Sequence, residues 1–165
     1  ICRYLGITDE NAVLVYIAPD EFNAAISALQ QGGAGGKKLI RLIAAGNIMV
    51  GEPALVHIDM HDNNLIYHKG DVVYETELNE SETAHNPELQ VMRFLHDVNL
   101  QAKAKGVLPD PLSGNVGALS ATEMFDTISR IKGLSGEHIV LRAVTLNDTY
   151  TAGPLGIDII VEPIQ

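Results

Sequence analysis

Several residue types are scarce in this chain, and each scarcity narrows the class of protein. Cys2 is the single cysteine among 165 residues, so an internal disulfide and a cysteine-rich metal site are excluded. Tryptophan is absent and aromatic residues make up 5% of the chain, so the core must be mainly aliphatic. No apolar run reaches the roughly 18 residues of a membrane-spanning helix. A lone thiol is compatible with a reducing compartment, and we expect a cytoplasmic location.

Basic residues are also few, and the resulting charge limits the partners of the chain. Lys and Arg number 11 against 21 Asp and Glu, which gives a formal net charge of −10 at pH 7. Such a charge repels phosphate backbones, so nucleic acid is not an expected ligand. It also opposes binding to anionic membrane surfaces. We therefore expect a protein partner or self-association, and no direct membrane contact by this domain.

Length and hydrophobicity predict one folded domain over residues 1–165. Of its 165 residues 46% are hydrophobic, which is enough for a real core. We interpret residues 1–10 as the remnant of an upstream linker. The chain begins with Ile1 and not with Met, so we expect it to be an excised or processed part of a longer protein.

The first part of the sequence predicts two strands around a helix. Residues 13–17 form a β-prone run that is typical of a strand buried on both faces. A helix is predicted over 20–31, with Asp20 as its N-cap. The glycine-rich segment 32–36 lacks the Lys-Ser/Thr ending of a phosphate-binding loop, so we interpret it as a linker. A further strand is predicted over 38–45.

A three-stranded antiparallel meander is predicted next. Residues 54–61 alternate in polarity, and 62–64 are suited to a tight hairpin because Asn tolerates a positive φ. The return strand is predicted over 65–68 and the third strand over 72–78. The polar residues 79–85 are expected to be exposed.

The remaining sequence predicts two helices followed by two strands. The helices are predicted over 87–105 and 121–132, the second with a capping box at 120–123. The strands are predicted over 138–146 and 155–161. The apolar stripes expected to be buried are Leu89, Met92, Leu95, Val98 and Ala102 in the first helix, and Met124, Phe125, Ile128 and Ile131 in the second.

The order of these elements determines the expected fold class. Strands and helices are partly segregated along the chain, which favours an α+β fold over an alternating parallel sheet. We expect a mainly antiparallel sheet of about six or seven strands with three helices.

Two loops are the candidate binding surface. In the ordered loop 106–120, two prolines flank Asp110, so its carboxylate is held in place near Ser113 and Asn115. This carboxylate either binds a ligand or caps its own turn through an Asx-type hydrogen bond. In the loop 147–154, Asp148 and Tyr150 either line a small-molecule pocket or belong to a polar loop bonded to its own backbone. If the two loops meet, Asp110 and Tyr150 present a carboxylate and a phenol on one rim.

His57, Asp59 and His61 are the candidate metal ligands. On a strand these three side chains share one face, and imidazole with carboxylate suits Zn²⁺, Mn²⁺ or Fe²⁺. His68 on the next predicted strand is a further candidate ligand. The alternative is a polar strand face that simply meets water. Same-face Cβ atoms lie nearly 7 Å apart, so three ligands on one strand require strong bending.

No catalytic or cofactor signature is present. The sequence has no nucleophile elbow, no dinucleotide fingerprint and no local cysteine–base motif, so we expect no cofactor and favour a protein that is not an enzyme. An alternative is a metal-dependent hydrolase, or a ribonuclease-H-like nuclease, that uses Asp59 with His57 and His61. The nuclease alternative depends on the order of the meander and the following helices.

Three stretches together resemble a known family. They are L-I-R-L-I-A-A-G-N-I-M-V-G-E-P at 39–53, G-V-L-P-D-P-L-S-G-N-V-G at 106–117, and L-R-A-V-T-L-N-D-T-Y-T-A-G-P-L at 141–155. They resemble the C-terminal domain of an uncharacterised, mainly cyanobacterial family, over most of the chain from about Asn11 onward. Members of that family carry hydrophobic N-terminal membrane segments and a long coiled coil ahead of this domain.

The resemblance implies an architecture and no activity. It implies a terminal globular module on a membrane-tethered coiled-coil protein, and it supplies no functional residues to assign. We therefore expect a non-catalytic interaction or assembly module.

Overall fold

The computed structural model describes residues 13–31, 36–47, 49, 52–117 and 119–164. These residues hold eight strands in three small sheets and four helices. The predicted α+β class with mainly antiparallel strands is confirmed, although the strands are distributed over three sheets and not one. The chain divides into two compact units, Ile1–Asp62 and Asn63–Gln165. The single domain over 1–165 stays a prediction.

The first unit is a three-stranded sheet with one helix. Its elements are β1 (Val15–Tyr16), α1 (Pro19–Gln31), β2 (Lys38–Ala44) and β3 (Ala54–Asp62). The strand order is β1-β3-β2, with β1 parallel and β2 antiparallel to the central β3. The bounds of α1, β2 and β3 agree with the predicted elements to within one residue.

Burial in the first unit differs from the prediction. The strand predicted at 13–17 is reduced to β1, and Val15 and Tyr16 are exposed because β1 lies at an edge of the sheet. No residue of α1 is fully buried, and its apolar residues Phe22 and Leu29 are exposed. A unit this small has too little volume to enclose them. The linker remnant at 1–10 and most of the glycine-rich connector lie outside the described residues.

The second unit holds the remaining elements and the core. They are β4 (Leu65–Tyr67), β5 (Val72–Leu78), α2 (Glu80–Ala84), α3 (Pro87–Lys105), α4 (Ala121–Gly133), β6 (Ile139–Thr145), β7 (Thr149–Tyr150) and β8 (Ile157–Pro163). Antiparallel β5-β6-β8 form one sheet, with the buried β6 at its centre, and β4 pairs with β7. The helix α3 contacts α4 and β5, and α4 contacts β8. None of the described helices is long and apolar enough to cross a membrane.

The predicted meander of β3, β4 and β5 is wrong. These strands pair with β2, β7 and β6 respectively. The reason lies in the hydrogen bonds that the residues of the predicted turn form. Thr151 N–H donates to the Asn64 carbonyl at 2.8 Å, and Ala152 N–H donates to Asn63 Oδ1 at 3.2 Å. The two asparagines are thus bonded to a distant loop and do not close a hairpin.

The short helix α2 occupies a segment that was expected to be exposed and for which no helix was predicted. Asn79 and Glu82 form a capping box, a signal that the sequence carries. Thr83 is buried, and its hydroxyl donates to the Glu137 carbonyl at 2.9 Å and accepts from Gly136 N–H at 3.1 Å. This tertiary anchor explains why so short a helix forms.

The two long helices have the predicted bounds but not all of the predicted buried faces. Val91 and Phe94 of α3 are buried with Val98 and Ala102, whereas Leu89 and Met92 are exposed. Of the stripe predicted in α4, Phe125 is exposed, whereas Ile128 and Ile131 are buried as expected. Adjacent stripes of a helix have the same spacing, so the sequence alone could not decide which one faces the sheet.

Candidate functional site

The predicted site residue Asp110 organises its own turn. Its Oδ1 accepts hydrogen bonds from the backbone N–H groups of Leu112 at 3.0 Å and Ser113 at 2.8 Å. Its N–H donates to the Asn115 carbonyl at 2.8 Å, and its carbonyl accepts from Gly114 N–H at 2.8 Å. This is the Asx-type turn that the sequence offered as one of two interpretations. Ligand binding by Asp110, Ser113 and Asn115 stays a prediction.

The second predicted loop is bonded to its neighbours in a similar way. Asp148 Oδ1 accepts from Lys69 N–H at 2.9 Å. Tyr150 lies in β7, opposite Leu65 of β4, and its side chain is partly exposed. The buried Thr151 accepts at its Oγ1 from Asn64 N–H at 3.1 Å. Asp148 therefore supports a neighbouring backbone segment, and Tyr150 is part of a strand pair. A binding role for these two residues stays a prediction.

The two loops lie against each other. Leu108 N–H donates to the Thr151 carbonyl at 2.9 Å, and Leu155 N–H donates to the Val116 carbonyl at 2.8 Å. These bonds fall on either side of the Asp110 turn. The loop is therefore hydrogen-bonded to the second loop on both sides of the Asp110 turn.

Gly117 makes the approach of the two loops especially close. A Cβ atom at this position would lie 2.2 Å from the carbonyl oxygen of Leu155 and 3.2 Å from its carbonyl carbon. Only glycine allows backbone to approach backbone at such a distance. The contact is thus a sequence requirement of this part of the fold.

A groove of about 450 Å³ lies between α3 and the loop that contains Gly117. One wall is the face of α3 that includes Leu95, Asn99 and Lys103, and the other wall includes Asn115 and Leu155. Asn115 is the point at which the predicted binding loop reaches this groove. Most of the lining side chains are aliphatic, so the groove can hold an apolar ligand group.

Asn99 links the two walls of the groove. Its Nδ2 donates to Asn115 Oδ1 at 3.1 Å, whereas its own Oδ1 is buried and has no hydrogen-bond partner within the described part of the chain. Buried acceptors are nearly always paired, so an unpaired one needs an explanation. The sequence interpretation did not single out Asn99 or Lys103. Their spacing of four residues was the available signal.

The predicted metal residues lie on β3 and form two separate contacts. His61 Nε2 lies 2.8 Å from Asp59 Oδ1, a close contact that does not have the geometry of a hydrogen bond. His57 Nδ1 lies 3.3 Å from Glu21 Oε2. His68 lies instead near Asp148, at 4.0 Å. Across the described ranges, no group of three or more His, Cys, Asp or Glu residues is placed to hold a metal ion.

The nuclease and hydrolase alternatives gain no support from this arrangement. The nuclease interpretation needed the meander, which is wrong, and the metal interpretation needed His57 and His61 to converge with Asp59. A metal site at these three residues stays a prediction without geometric support.

Glu21 accepts a hydrogen bond from a part of β3 that lies beyond β1, and the sequence analysis did not identify this residue. It lies in the first turn of α1, and its Oε1 accepts from Ile58 N–H of β3 at 2.6 Å. That N–H belongs to the side of β3 that faces β1, beyond the point where the short β1 ends. The bond from Ile58, with a smaller contribution from His57, holds the pKa of Glu21 below its usual value.

Replacing Glu21 by Gln should reduce stability at neutral pH and not at low pH. The folded pKa of Glu21 is below its ordinary value of 4.5, so its contribution is complete above pH 4.5 and is lost as the pH falls through the folded pKa. The neutral amide is a weaker acceptor for Ile58 N–H than the carboxylate. Urea unfolding followed by circular dichroism at about pH 7 and about pH 3 measures the difference.

Asp20→Asn is the matched control for this prediction. Asp20 is exposed in the same helical turn, so both variants change the charge near the N-terminus of α1 equally. A Glu21→Gln effect that is equal to that of Asp20→Asn, or that persists unchanged at low pH, would contradict the role of the Ile58 bond.

Comparison with known proteins places the second unit in a family. Residues 67–163 match the family model described as DUF3084-associated C-terminal helical hairpin. The match covers more than half of the chain and includes α3 and α4. No curated protein and no solved structure matches the chain. The resemblance to the C-terminal domain of an uncharacterised family is confirmed to this extent, whereas the cyanobacterial source, coiled coil and membrane anchor stay predictions.

Proposed function

Because the chain belongs to the family of DUF3084-associated C-terminal helical hairpins, which is named for an architecture and not for a reaction, we propose that it is a non-catalytic interaction and assembly module. Two copies associate through the outer edge of β2. The module stands in the cytoplasm, and it lies at the end of the membrane-tethered coiled coil that the resemblance of the sequence implies. The observation that carries the proposal is the seven-residue edge strand β2, which has exposed aliphatic side chains and whose outer edge has no partner strand among the described residues.

The outer edge of β2 has unpaired backbone groups. Among the described residues β2 pairs with β3 alone. Ala45 N–H donates to the opposing Leu55 carbonyl at 2.9 Å, one position beyond the end of the strand. Hydrogen bonding alternates along an antiparallel ladder, so Ile43 bonds to β3, whereas Ile40 and Leu42 direct their N–H and carbonyl groups outward.

The side chains on this edge are apolar and accessible. Ile40 is 48% exposed and Leu42 is 59% exposed. Natural edge strands are usually protected by bulges, prolines or charges. The register of β2 on β3 has no bulge. Of the two charged residues of β2, Lys38 is engaged in an ion pair with Asp62 and Arg41 is half-buried. The strand is therefore a template for a further strand.

The opposite side of the sheet offers a shorter free edge. There β1 covers the start of β3, and the Glu21 carboxylate accepts the N–H of Ile58 farther along. The other edge strand, β1, is only two residues long, so among the described residues β2 is the longer template for an added strand.

A two-fold symmetric antiparallel pair of β2 strands satisfies the outward groups of both copies. These groups belong to even-numbered residues, so even residues must oppose even residues in the new ladder. A ladder centred on Leu42 places Leu42 opposite its copy and Ile40 opposite Ala44. It places Lys38 opposite Gly46, which keeps the lysines of the two copies apart.

Light scattering or sedimentation of the full chain tests this proposal. From about 1 µM to about 1 mM, we expect the mass to rise from the 17.8 kDa of one chain toward twice that value. The buffer should contain about 0.15 M salt, since two chains of charge −10 repel each other until that charge is screened. Leu42→Lys should abolish the rise because it sets two lysines directly opposite each other.

Leu112→Lys is the matched control, since Leu112 is 96% exposed and lies outside β2. It adds the same charge and should leave the association unchanged. Circular dichroism should show that both variants are folded. A wild type that stays at the mass of one chain at every concentration, or two variants with equal association, would show that the β2 edge is not an interface.

A further inference from the structure

We infer that the groove beside α3 binds the carboxyl-terminal residue of a partner polypeptide, one that ends in an aliphatic side chain. The inference rests on the proposed interaction role but uses a surface other than β2. Such a residue carries three groups, namely an aliphatic side chain, a backbone N–H and a carboxylate. The groove has a complement for each of them.

The aliphatic side chain is matched by the walls of the groove. Leu95, Leu119 and Leu155 line it, and the volume of about 450 Å³ is within the range of small-ligand sites, which is about 300–1,000 Å³. Met92 and Leu100 also line the groove and are exposed. Covering them with an apolar group would remove this surface from water.

The backbone N–H of the ligand is matched by Asn99. The Nδ2 of this residue is held by Asn115 at 3.1 Å, which fixes the orientation of the amide. The Oδ1 is left as a buried acceptor without a partner among the described residues. The Oδ1 atom is covered by other atoms in the free chain, so a ligand must displace a flexible side chain to reach it. The unbranched Met92 and Lys103 line the same groove and are the candidates for this movement. An incoming N–H then supplies the missing hydrogen bond.

The carboxylate is matched by the charge of the groove. The chain has 21 acidic residues, yet no Asp or Glu lines this groove. Lys103 does line it, and Lys103 forms no ion pair within the part of the chain that the structure describes. Asn99 and Lys103 are one helical turn apart, about 6 Å along the axis, so one ligand residue can reach both.

The groove is largely organised before a ligand binds. The Asn99–Asn115 bond joins its walls, and the close contact of Gly117 with Leu155 fixes the loop wall. A wall that is already ordered loses little entropy on binding, which favours affinity for a short peptide end.

Titration of the ¹⁵N-labelled full chain with acetyl-alanyl-alanyl-leucine, followed by nuclear magnetic resonance, tests the inference. We expect saturable shifts at the Asn99 side-chain amide and at the Val116 and Gly117 backbone amides. The same peptide with a carboxyl-terminal amide should bind at least about tenfold more weakly, and hexanoate, which lacks the N–H, should also bind more weakly. Lys103→Met should remove the preference for the free acid.

Lys69→Met is the matched control, since Lys69 is exposed and lies outside the groove. It removes the same charge and should keep the preference. Equal affinity for acid and amide, shifts that lie away from the groove, or no shift at about 10 mM peptide would overturn the assignment. Tighter binding of hexanoate than of the peptide would instead indicate a fatty acid site and would equally overturn it. If the peptide does not bind but the chain still associates through β2, only the groove assignment is wrong. If the peptide binds but the chain does not associate, only the proposed association through β2 is wrong.

Discussion

Replacing Phe94 by alanine is expected to lower the free energy of unfolding by about 3–5 kcal/mol. Phe94 is 2% exposed in the middle of α3, and its ring centroid lies 5.6 Å from that of Tyr74 on β5. The substitution removes a large apolar group and leaves a cavity between the helix pair and the sheet. Urea unfolding followed by circular dichroism measures the loss, because the chain has no tryptophan for fluorescence.

Phe125→Ala is the control for this prediction. The same side chain is removed from α4 at a position that is 66% exposed, so we expect a change within about 0.5 kcal/mol. A large loss at Phe125 with a small one at Phe94 would show that the helix pair faces the sheet with the stripe that the sequence first suggested.

Replacing Gly117 by alanine is expected to cost about 1–3 kcal/mol, or more if the loops cannot separate. The added Cβ would lie 2.2 Å from the Leu155 carbonyl oxygen, so backbone must move. That movement breaks the bond from Leu155 N–H to the Val116 carbonyl and opens the groove. Unfolding measurements give the cost, and the amide shift of Leu155 reports the broken bond.

Gly133→Ala is the control for the second prediction. Gly133 ends α4, and a Cβ at this position would have no atom within 4 Å. Alanine is the better helix former, so this variant should be neutral or more stable by about 0.5–1 kcal/mol. If Gly117→Ala left the free energy of unfolding as little changed as Gly133→Ala does, the two loops could not approach as closely as the structure shows.

The helices of the second unit were predictable because their ends are encoded locally. Pro87 begins α3, and Gly106, with a φ of 112°, ends it as a left-handed cap. Ser120 and Glu123 begin α4 through the capping box. These signals need no knowledge of distant residues, and both helices were predicted to within one residue.

Strand pairing was not predictable because it depends on distant partners. The pair Asn63 and Asn64 has the composition of a hairpin turn. In the structure its hydrogen-bonding groups meet Thr151 and Ala152, more than 80 residues along the chain. No local pattern distinguishes these two uses of an asparagine pair.

The candidate site was predictable only in part, because its turn is encoded locally whereas its groove depends on distant residues. The order of the Asp110 loop follows from its prolines, and its hydrogen bonds are those that an Asx turn requires. The groove, by contrast, exists only because α3 packs beside Asn115 and Gly117. A helical asparagine such as Asn99 has the appearance of a solvent-facing residue until that packing is known.

Hydrogen exchange at β2 tests most directly whether this chain is an assembly module. Leu42 N–H points outward from β2, whereas Ile43 N–H points toward its partner His57 on β3. We predict that exchange of the Leu42 amide slows as the protein concentration rises, while the Ile43 amide is protected at every concentration. A Leu42 amide that exchanges at the rate of an unbonded group at all concentrations would contradict association through this edge.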